Sequence, residues 1–514
     1  MSTNFSPVTG VWEITMGCNM RCKHCGSSCE NSMEDELSTE EALKLCDDIA
    51  ELGFKWITLS GGEPTTRKDW DLIACRLNDK GVIPNMITNG WLMNEEIAAR
   101  AKKAGVNTIA LSLDGLKKTH DYIRKEGSYD RIMNAIEIIK ENGLNCSIIT
   151  TINSINIGEL EELHDILSKK CIFGWQLQLG LPMGNLAKNA ELVAEPHHIE
   201  EVIDFAHSAM KKGGIEIQLA DCIGYFNNKE IEVRKMSGEG EDYLWRGCSA
   251  GKYVLGILNN GDIVGCTSIR DREFIEGNVR EVSLVDLWND PTKFLWNRNM
   301  TKDKLTGICK KCLFGNRCLG GCGNTRLTMQ GTVYAENSYC AYNYTMKRAD
   351  AQFQKISDTE TMLAKAEKFA GCNSFQLAEL LLSKILEKDA DNEKALTSYG
   401  YVSFMLGNFK DALEANEKLI KQKPLDPYIN KGYGLSLAKL GEVEKGIEHI
   451  KKAIDLSDKK YMDPYNDLAV VLCENNRNDE ALAVLEEGRS VSDKFKLDSE
   501  KFYQMLMEKQ NAIL

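Results

Sequence analysis

Between residues 11 and 219 the chain alternates short runs rich in β-branched and aromatic residues with stretches whose apolar positions recur at helical spacing. The runs 11–16, 56–59, 82–87, 108–113, 146–152 and 175–179 read as strands, and 39–52, 95–104, 131–141 and 159–169 as helices between them. Ser38 with Glu41 three residues later makes a capping box, and Gly105 and Gly143 suit helix C-terminal caps. Six strands alternating with helices predict an α/β fold with a parallel sheet, open or curled into a partial (β/α)6 barrel. In such folds the chemistry gathers at the carboxyl ends of the strands, where several polar and glycine-rich punctuations of this sequence fall.

At 514 residues the chain is too long for one hydrophobic core, and its 43% apolar and 27% charged composition is that of a soluble globular protein. No apolar run approaches the ~18 residues that span a bilayer, and residues 1–10 lack the basic stretch and apolar core of a secretion signal. The expectation is a cytoplasmic protein with no membrane partner. A net charge of −13 argues against broad attraction to nucleic acid, though not against a local basic groove. In a reducing compartment the 18 cysteines point to metal ligation rather than disulfides. Ten fall in patterned clusters; the other eight (Cys29, Cys46, Cys75, Cys146, Cys171, Cys222, Cys372 and Cys473) are scattered.

The alternation breaks up after residue 226, where turns, glycines and seven cysteines suggest a loop-rich region that needs metal to hold itself. From about residue 358 the chain reads as helical and repeats. Ala366, Gly400, Gly434 and Ala469 are spaced 34, 34 and 35 apart, and Ala378, Ala412, Gly446 and Ala481 follow each by 12. Units of ~34 residues with small side chains at the helix crossings are the tetratricopeptide pattern; an irregular helical bundle would not hold two registers through four units. The expected domains are therefore 1–225, 226–350 and 351–514, the last an all-α solenoid.

The run Gly17-Cys18-Asn19-Met20-Arg21-Cys22-Lys23-His24-Cys25 directly follows the first strand. Three thiolates on one loop suit three irons of a [4Fe–4S] cubane with the fourth iron open. A zinc site completed by Cys29 or His24 fits the spacing as well. The surroundings discriminate: Ser60-Gly61-Gly62-Glu63-Pro64 ends the second strand, Thr88-Asn89-Gly90 the third, and Ser112-Leu113-Asp114-Gly115 the fourth. Together these resemble the radical S-adenosylmethionine superfamily. The resemblance implies that Cys18, Cys22 and Cys25 are catalytic cluster ligands. It further implies that His24, Gly61, Gly62, Glu63, Pro64, Asn89, Ser112 and Asp114 contact S-adenosylmethionine. Arg124 is a candidate carboxylate partner, or an ordinary helix-surface arginine. The implied chemistry is reductive cleavage of S-adenosylmethionine to a 5′-deoxyadenosyl radical, fed by an electron donor such as flavodoxin or ferredoxin.

The later cysteines are Cys248, Cys266 (five residues beyond Gly261), Cys309, Cys312, Cys318, Cys322 and Cys340. Cys309, Cys312, Cys318 and Cys322 alone would make a zinc knuckle. The full series resembles the SPASM extension, which carries two auxiliary [4Fe–4S] clusters. By that resemblance Cys309, Cys312, Cys318 and Cys340 close the distal cluster, and Cys248, Cys266 and Cys322 hold the proximal one. Fully ligated members have a further cysteine shortly before the first, but 233–247 contains none. Cys222 is the nearby candidate, a ligand or simply a small buried hydrophobe. Its distance in sequence from Cys248 favours an open iron that binds a substrate thiolate.

The three parts together resemble peptide- and protein-modifying enzymes that form thioether or carbon–carbon cross-links or oxidise a residue. The repeats suit an extended peptide, and the start of the chain close to the first strand leaves recognition to them or to a separate protein. One rival is a formylglycine-forming sulfatase-type maturase, which has a carboxylate where this chain has Thr267. A small-molecule substrate is another, and a docking scaffold with a vestigial catalytic core is a third.

Overall fold

The structure, a computed structural model, describes residues 5–239 and 245–511. Residues 1–4, 240–244 and 512–514 lie outside it, and with them parts of the N-terminal segment and of the cysteine-free interval. The chain forms two compact units, one of residues 1–310 with 314–345, the other of residues 311–313 with 346–514.

The first unit is built on a parallel sheet. Its strands are β1 (Thr9–Thr15), β2 (Trp56–Gly61), β3 (Ile83–Thr88), β4 (Thr108–Ser112), β5 (Asn145–Ile152), β6 (Gly174–Leu179) and β7 (Ile217–Leu219), paired in that order. The connections carry α1 (Thr39–Glu51), α2 (Trp70–Asp79), α3 (Glu95–Lys103), α4 (Lys117–Ile123), α5 (Ser128–Glu141), α6 (Leu160–Lys169) and α7 (His198–Lys212). The capping box forms: Ser38 Oγ accepts from Glu41 N at 3.2 Å, and Glu41 Oε2 accepts from Ser38 N at 2.8 Å. Trp12, Ile14, Leu59, Met86, Ile109, Ile148 and Leu177 are fully buried between sheet and helices. This apolar layer fixes the strands, so the loops at their carboxyl ends are held in one plane.

The six expected strands are present, and the sheet is larger than the pattern suggests. β7 has three residues, too few for a period to register. The cysteine-bearing region also supplies β8 (Val254–Ile257), β9 (Asp262–Val264) and β10 (Ile275–Asn278). β8 runs parallel to β1, with Thr9 opposite Val254 and Trp12 opposite Ile257, so β1 is an interior strand of one ten-stranded sheet. These strands are short and punctuated by Gly256, Gly261 and Gly265, which hides them from a periodicity reading.

The second unit is helical. Pairs run Thr359–Gly371 with Phe375–Lys388, Glu393–Met405 with Phe409–Gln422, Pro427–Lys439 with Val443–Leu456, and Asp463–Glu474 with Asn478–Val491. Two shorter helices, Asp493–Asp498 and Glu500–Asn511, follow. Small residues sit where partner helices touch: a Cβ on Gly446 would lie 2.7 Å from the Gly434 carbonyl oxygen and 2.9 Å from the Ala438 Cβ. Among the described residues no helix is long and apolar enough to cross a membrane.

This crossing generates a prediction. Gly446→Val places three extra carbons where one already collides, and overpacking of this kind costs about 1–3 kcal/mol. A lowered thermal midpoint for the helical unit in calorimetry is expected; an unchanged midpoint would contradict the close approach.

Candidate active site

The main chain of the loop after β1 is held by hydrogen bonds from several sides. Gly17 N donates to Thr15 Oγ1 at 3.0 Å, and Cys18 N to the Glu30 carbonyl at 3.0 Å. Arg21 Nη1 reaches the carbonyls of Cys18 and Met20, both at 2.8 Å. From the loop after β6, Asn185 Nδ2 donates to the Cys22 carbonyl at 3.1 Å, Asn189 Nδ2 to the Lys23 carbonyl at 3.1 Å, and Asn185 N to the Cys25 carbonyl at 2.8 Å. With their carbonyls occupied, Cys18, Cys22 and Cys25 present their thiols to the wall of a cavity of about 440 Å³. His24 also lines it.

The glycine pair after β2 packs against this loop. Gly62 N donates to the Thr15 carbonyl at 2.7 Å and Glu63 N to the Gly17 carbonyl at 2.8 Å. A Cβ on Gly61 would fall 2.2 Å from the Thr15 oxygen, and one on Gly62 2.2 Å from the Gly17 oxygen. Gly61 also holds φ at +135°, a conformation that other residues avoid. The closest approach these glycines permit is therefore to the chain's own cysteine loop. Glu63 is fully buried and faces inward: its carboxylate accepts from Thr65 N at 3.2 Å, Thr65 Oγ1 at 2.5 Å, Thr88 Oγ1 at 2.7 Å and Asn89 N at 2.8 Å. Burial pushes its pKa up against those bonds.

At the end of β4, Asp114 is fully buried. Its Oδ2 meets His24 Nε2 at 2.7 Å and the Arg124 Nε, and its Oδ1 accepts from Thr151 N at 2.8 Å. Burial alone would raise the Asp114 pKa, but the Arg124 and His24 charges hold it well below the usual carboxylate range. Arg124 Nη1 lies 3.8 Å from Cys22 Sγ. Burial pushes the Cys22 thiol up to about 11 and raises Cys18. These thiols therefore carry protons that metal must displace.

Of the residues expected at the cofactor, His24, Gly61, Gly62, Asn89, Ser112 and Arg124 line the cavity with the three cysteines. Glu63, Pro64 and Asp114 stand behind it. Thr151 and Gln178, at the ends of β5 and β6, line it too; their position at strand ends is the signal that finds them. Arg270, which pairs with buried Glu13 and reaches Ser27 Oγ at 2.5 Å, has no such signal.

The same cavity is walled on its other side by Cys222, Cys266 and Cys322, with Asp221 and Asn324. Cys248 belongs with this group, because Cys322 and Cys266 each act electrostatically with it. Cys309 and Cys340 meet around Asn337, whose N–H donates to Cys309 Sγ at 3.4 Å and whose carbonyl accepts from Cys340 N at 3.4 Å. Cys312 and Cys318 lie on the intervening turn and short helix.

The group among the described residues whose ligating atoms all lie within 4.8 Å is His197, His198 and Glu201, away from the cavity. Cys18, Cys22 and Cys25 share one cavity with Cys222, Cys266 and Cys322, a set of thiol donors whose chemistry suits iron–sulfur clusters.

The sequence matches the Radical SAM superfamily over residues 12–167 and the SPASM iron–sulfur cluster-binding domain over 248–313. It is 30% identical over 345 residues to an AdoMet-dependent heme synthase of Nitratidesulfovibrio vulgaris, covering 65% of this chain and 91% of that protein. The mycofactocin maturase MftC of Mycolicibacterium smegmatis is 26% identical over 327 residues, covering 62% and 78%. Streptococcus suis SuiB bound to S-adenosylmethionine has a similar fold, with a TM-score of 0.53 at 19% identity over 66% of this chain and 78% of that one.

The buried Asp114–Arg124 pair gives a stability prediction with a pH signature. Removing one partner of such a pair costs about 3–5 kcal/mol, so Asp114→Asn should unfold at lower denaturant than the parent at neutral pH. Because the folded-state pKa is depressed, the stabilisation is full above the ordinary value of 3.8 and is lost as pH falls below it. The gap between variant and parent should narrow in acid; a gap independent of pH would mean that Asp114 is not ionised in the folded protein.

Proposed function

The chain belongs to the radical S-adenosylmethionine superfamily and carries a SPASM domain, and from that premise we propose that it modifies a peptide or protein substrate by radical chemistry. It is an enzyme whose cofactors are S-adenosylmethionine and [4Fe–4S] clusters. When bound, these supply a 5′-deoxyadenosyl radical that removes a substrate hydrogen atom.

We assign Cys18, Cys22 and Cys25 as the three thiolates of the catalytic cluster. Arg124, held by Asp114 beside Cys22, places positive charge next to that sulfur. Gly61, Gly62, Asn89 and Ser112 offer polar and main-chain groups to S-adenosylmethionine on the adjoining wall. Cys248, Cys266 and Cys322 are assigned to a proximal auxiliary cluster, and Cys309, Cys312, Cys318 and Cys340 to a distal one. An electron donor of the flavodoxin or ferredoxin type, and a cytoplasmic site, complete the reading.

The observation that carries the peptide assignment is the helical unit, because about a third of the chain lies outside the match to the heme synthase. Successive helix pairs there expose Tyr401, Met405 and Tyr428. Beside them Lys431 lies over the rings of Tyr428 and Tyr461, at 5.4 and 5.2 Å, and pairs with Asp463 and Asp467, both at 3.6 Å. A polar cavity of about 590 Å³ opens at this cluster. Aromatic surface interleaved with fixed charges suits an extended peptide, as helix-pair repeats in general do. SuiB has been crystallised with its precursor peptide SuiA, and MftC is named a maturase, which supports the same class. A second reading, a step of heme synthesis, is favoured by the heme synthase similarity alone.

Two expectations follow. Replacing Cys18, Cys22 and Cys25 by Ala should remove about four of about twelve irons per chain and abolish 5′-deoxyadenosine release, as measured by iron assay and chromatography. In full-length protein, Tyr428→Ala with Lys431→Ala should raise KM for a peptide encoded by a neighbouring reading frame while leaving uncoupled 5′-deoxyadenosine release unchanged. Conversion of a porphyrin, with no response to the repeat substitutions, would favour the second reading and overturn the first.

A further inference from the structure

We infer that Cys222 is the fourth protein ligand of the proximal auxiliary cluster, which closes the iron that the sequence pattern leaves open. The inference rests on the reading of Cys248, Cys266 and Cys322 as ligands of that cluster and deepens it.

Sequence distance argued for an open site, since 26 residues separate Cys222 from Cys248. The fold removes that distance. Cys222 follows β7, the last parallel strand, in a loop turned inward by the Ile223 N to Ala220 carbonyl bond of 3.0 Å. Tyr225, 1% exposed, then fastens this loop to the cysteine region: its hydroxyl donates to the Asp221 carbonyl at 2.5 Å and accepts from Cys322 N at 2.9 Å. One residue earlier, Gly224 pairs main chain to main chain with Cys340. Cys222 is thereby placed on the same cavity wall as Cys266 and Cys322. Cys322 and Cys222 also act electrostatically on each other, as neighbouring thiols do.

The Cys222 sulfur accepts a main-chain hydrogen bond. Leu179 N donates to Cys222 Sγ at 3.2 Å, the kind of main-chain bond that iron–sulfur ligands accept. A cysteine serving only as packing has no use for an N–H aimed at its sulfur on a cavity wall. A carboxylate alternative adjoins it: Asp221 lines the cavity, but its Oδ2 is engaged by Ser249 Oγ at 3.0 Å. With four thiolates the cluster has no iron free for a substrate thiolate.

The test uses full-length protein reconstituted anaerobically, with Cys222→Ser, Cys322→Ala and Asp221→Asn compared by iron content and electron paramagnetic resonance. Cys222→Ser and Cys322→Ala are both expected to lose or alter the same auxiliary signal while the S-adenosylmethionine-responsive signal of the catalytic cluster persists, which also shows the variants folded. Asp221→Asn should keep the parent iron content. In the parent, Cys222 should resist alkylation until the clusters are stripped by chelator, and added 2-mercaptoethanol should leave the auxiliary signal unmoved. An unchanged auxiliary signal in Cys222→Ser, or ready alkylation of Cys222 in the loaded parent, overturns the assignment. Retention of all iron in Cys322→Ala overturns instead the reading on which it rests.

Discussion

Two main-chain hydrogen bonds hold the cysteine loop after β1 against the end of β2. Beyond the ends of β1 and β2, Gly62 N and Glu63 N donate to the carbonyls of Thr15 and Gly17, so the strand pairing continues into the loops. The approach leaves no space for a Cβ at either glycine. Glu63 then reaches across to Thr88 and Asn89 and ties the ends of β2 and β3 together from beneath. The cysteine loop is thus braced by the scaffold.

Charge around the cavity is arranged in layers. Asp114 is hidden and holds both His24 and Arg124, and Arg124 in turn approaches Cys22. On another side Arg270, from the cysteine-rich region, neutralises Glu13 on β1. Asp114 and Glu13 each meet a guanidinium, and Arg124 Nη1 lies 3.8 Å from Cys22 Sγ. Positive charge at that distance stabilises thiolates and the metal charge state they hold. Asn89 and Ser112 face the cavity, whereas Glu63 and Asp114, fully buried, act through their neighbours.

Much of this was legible in the sequence, for physical reasons that differ by region. The parallel core announces itself because each strand is long enough to alternate and each helix long enough to be amphipathic. The cysteine loop and Gly61-Gly62 are legible because local spacing carries their chemistry. What sequence could not supply is proximity across the fold. β8 to β10 carry too few residues for a period, so their union with β1 was invisible. Cys222 is remote from Cys266 and Cys322 in sequence, yet it lines the same cavity. Arg270 lies 257 residues from Glu13, and no local pattern announces such a pairing. Asp114 stands at a strand end as its motif places it, and its partners His24 and Arg124 come from elsewhere in the fold.

The position of β1 inside the ten-stranded sheet bears on how the protein is made. β1 finds β2 early in synthesis, but its other neighbour, β8, begins at Val254. At a ribosomal speed of about 5–20 residues per second, one edge of β1 waits roughly 10 to 50 seconds for its partner. During that interval the nascent chain shows an unpaired strand edge with Trp12 and Ile14 on it, open to pairing with other chains. Cys248 emerges just before the strand that covers this edge, and Cys266 to Cys340 emerge after it. The sheet is therefore completed by the same stretch of chain that carries the first of the later cysteines.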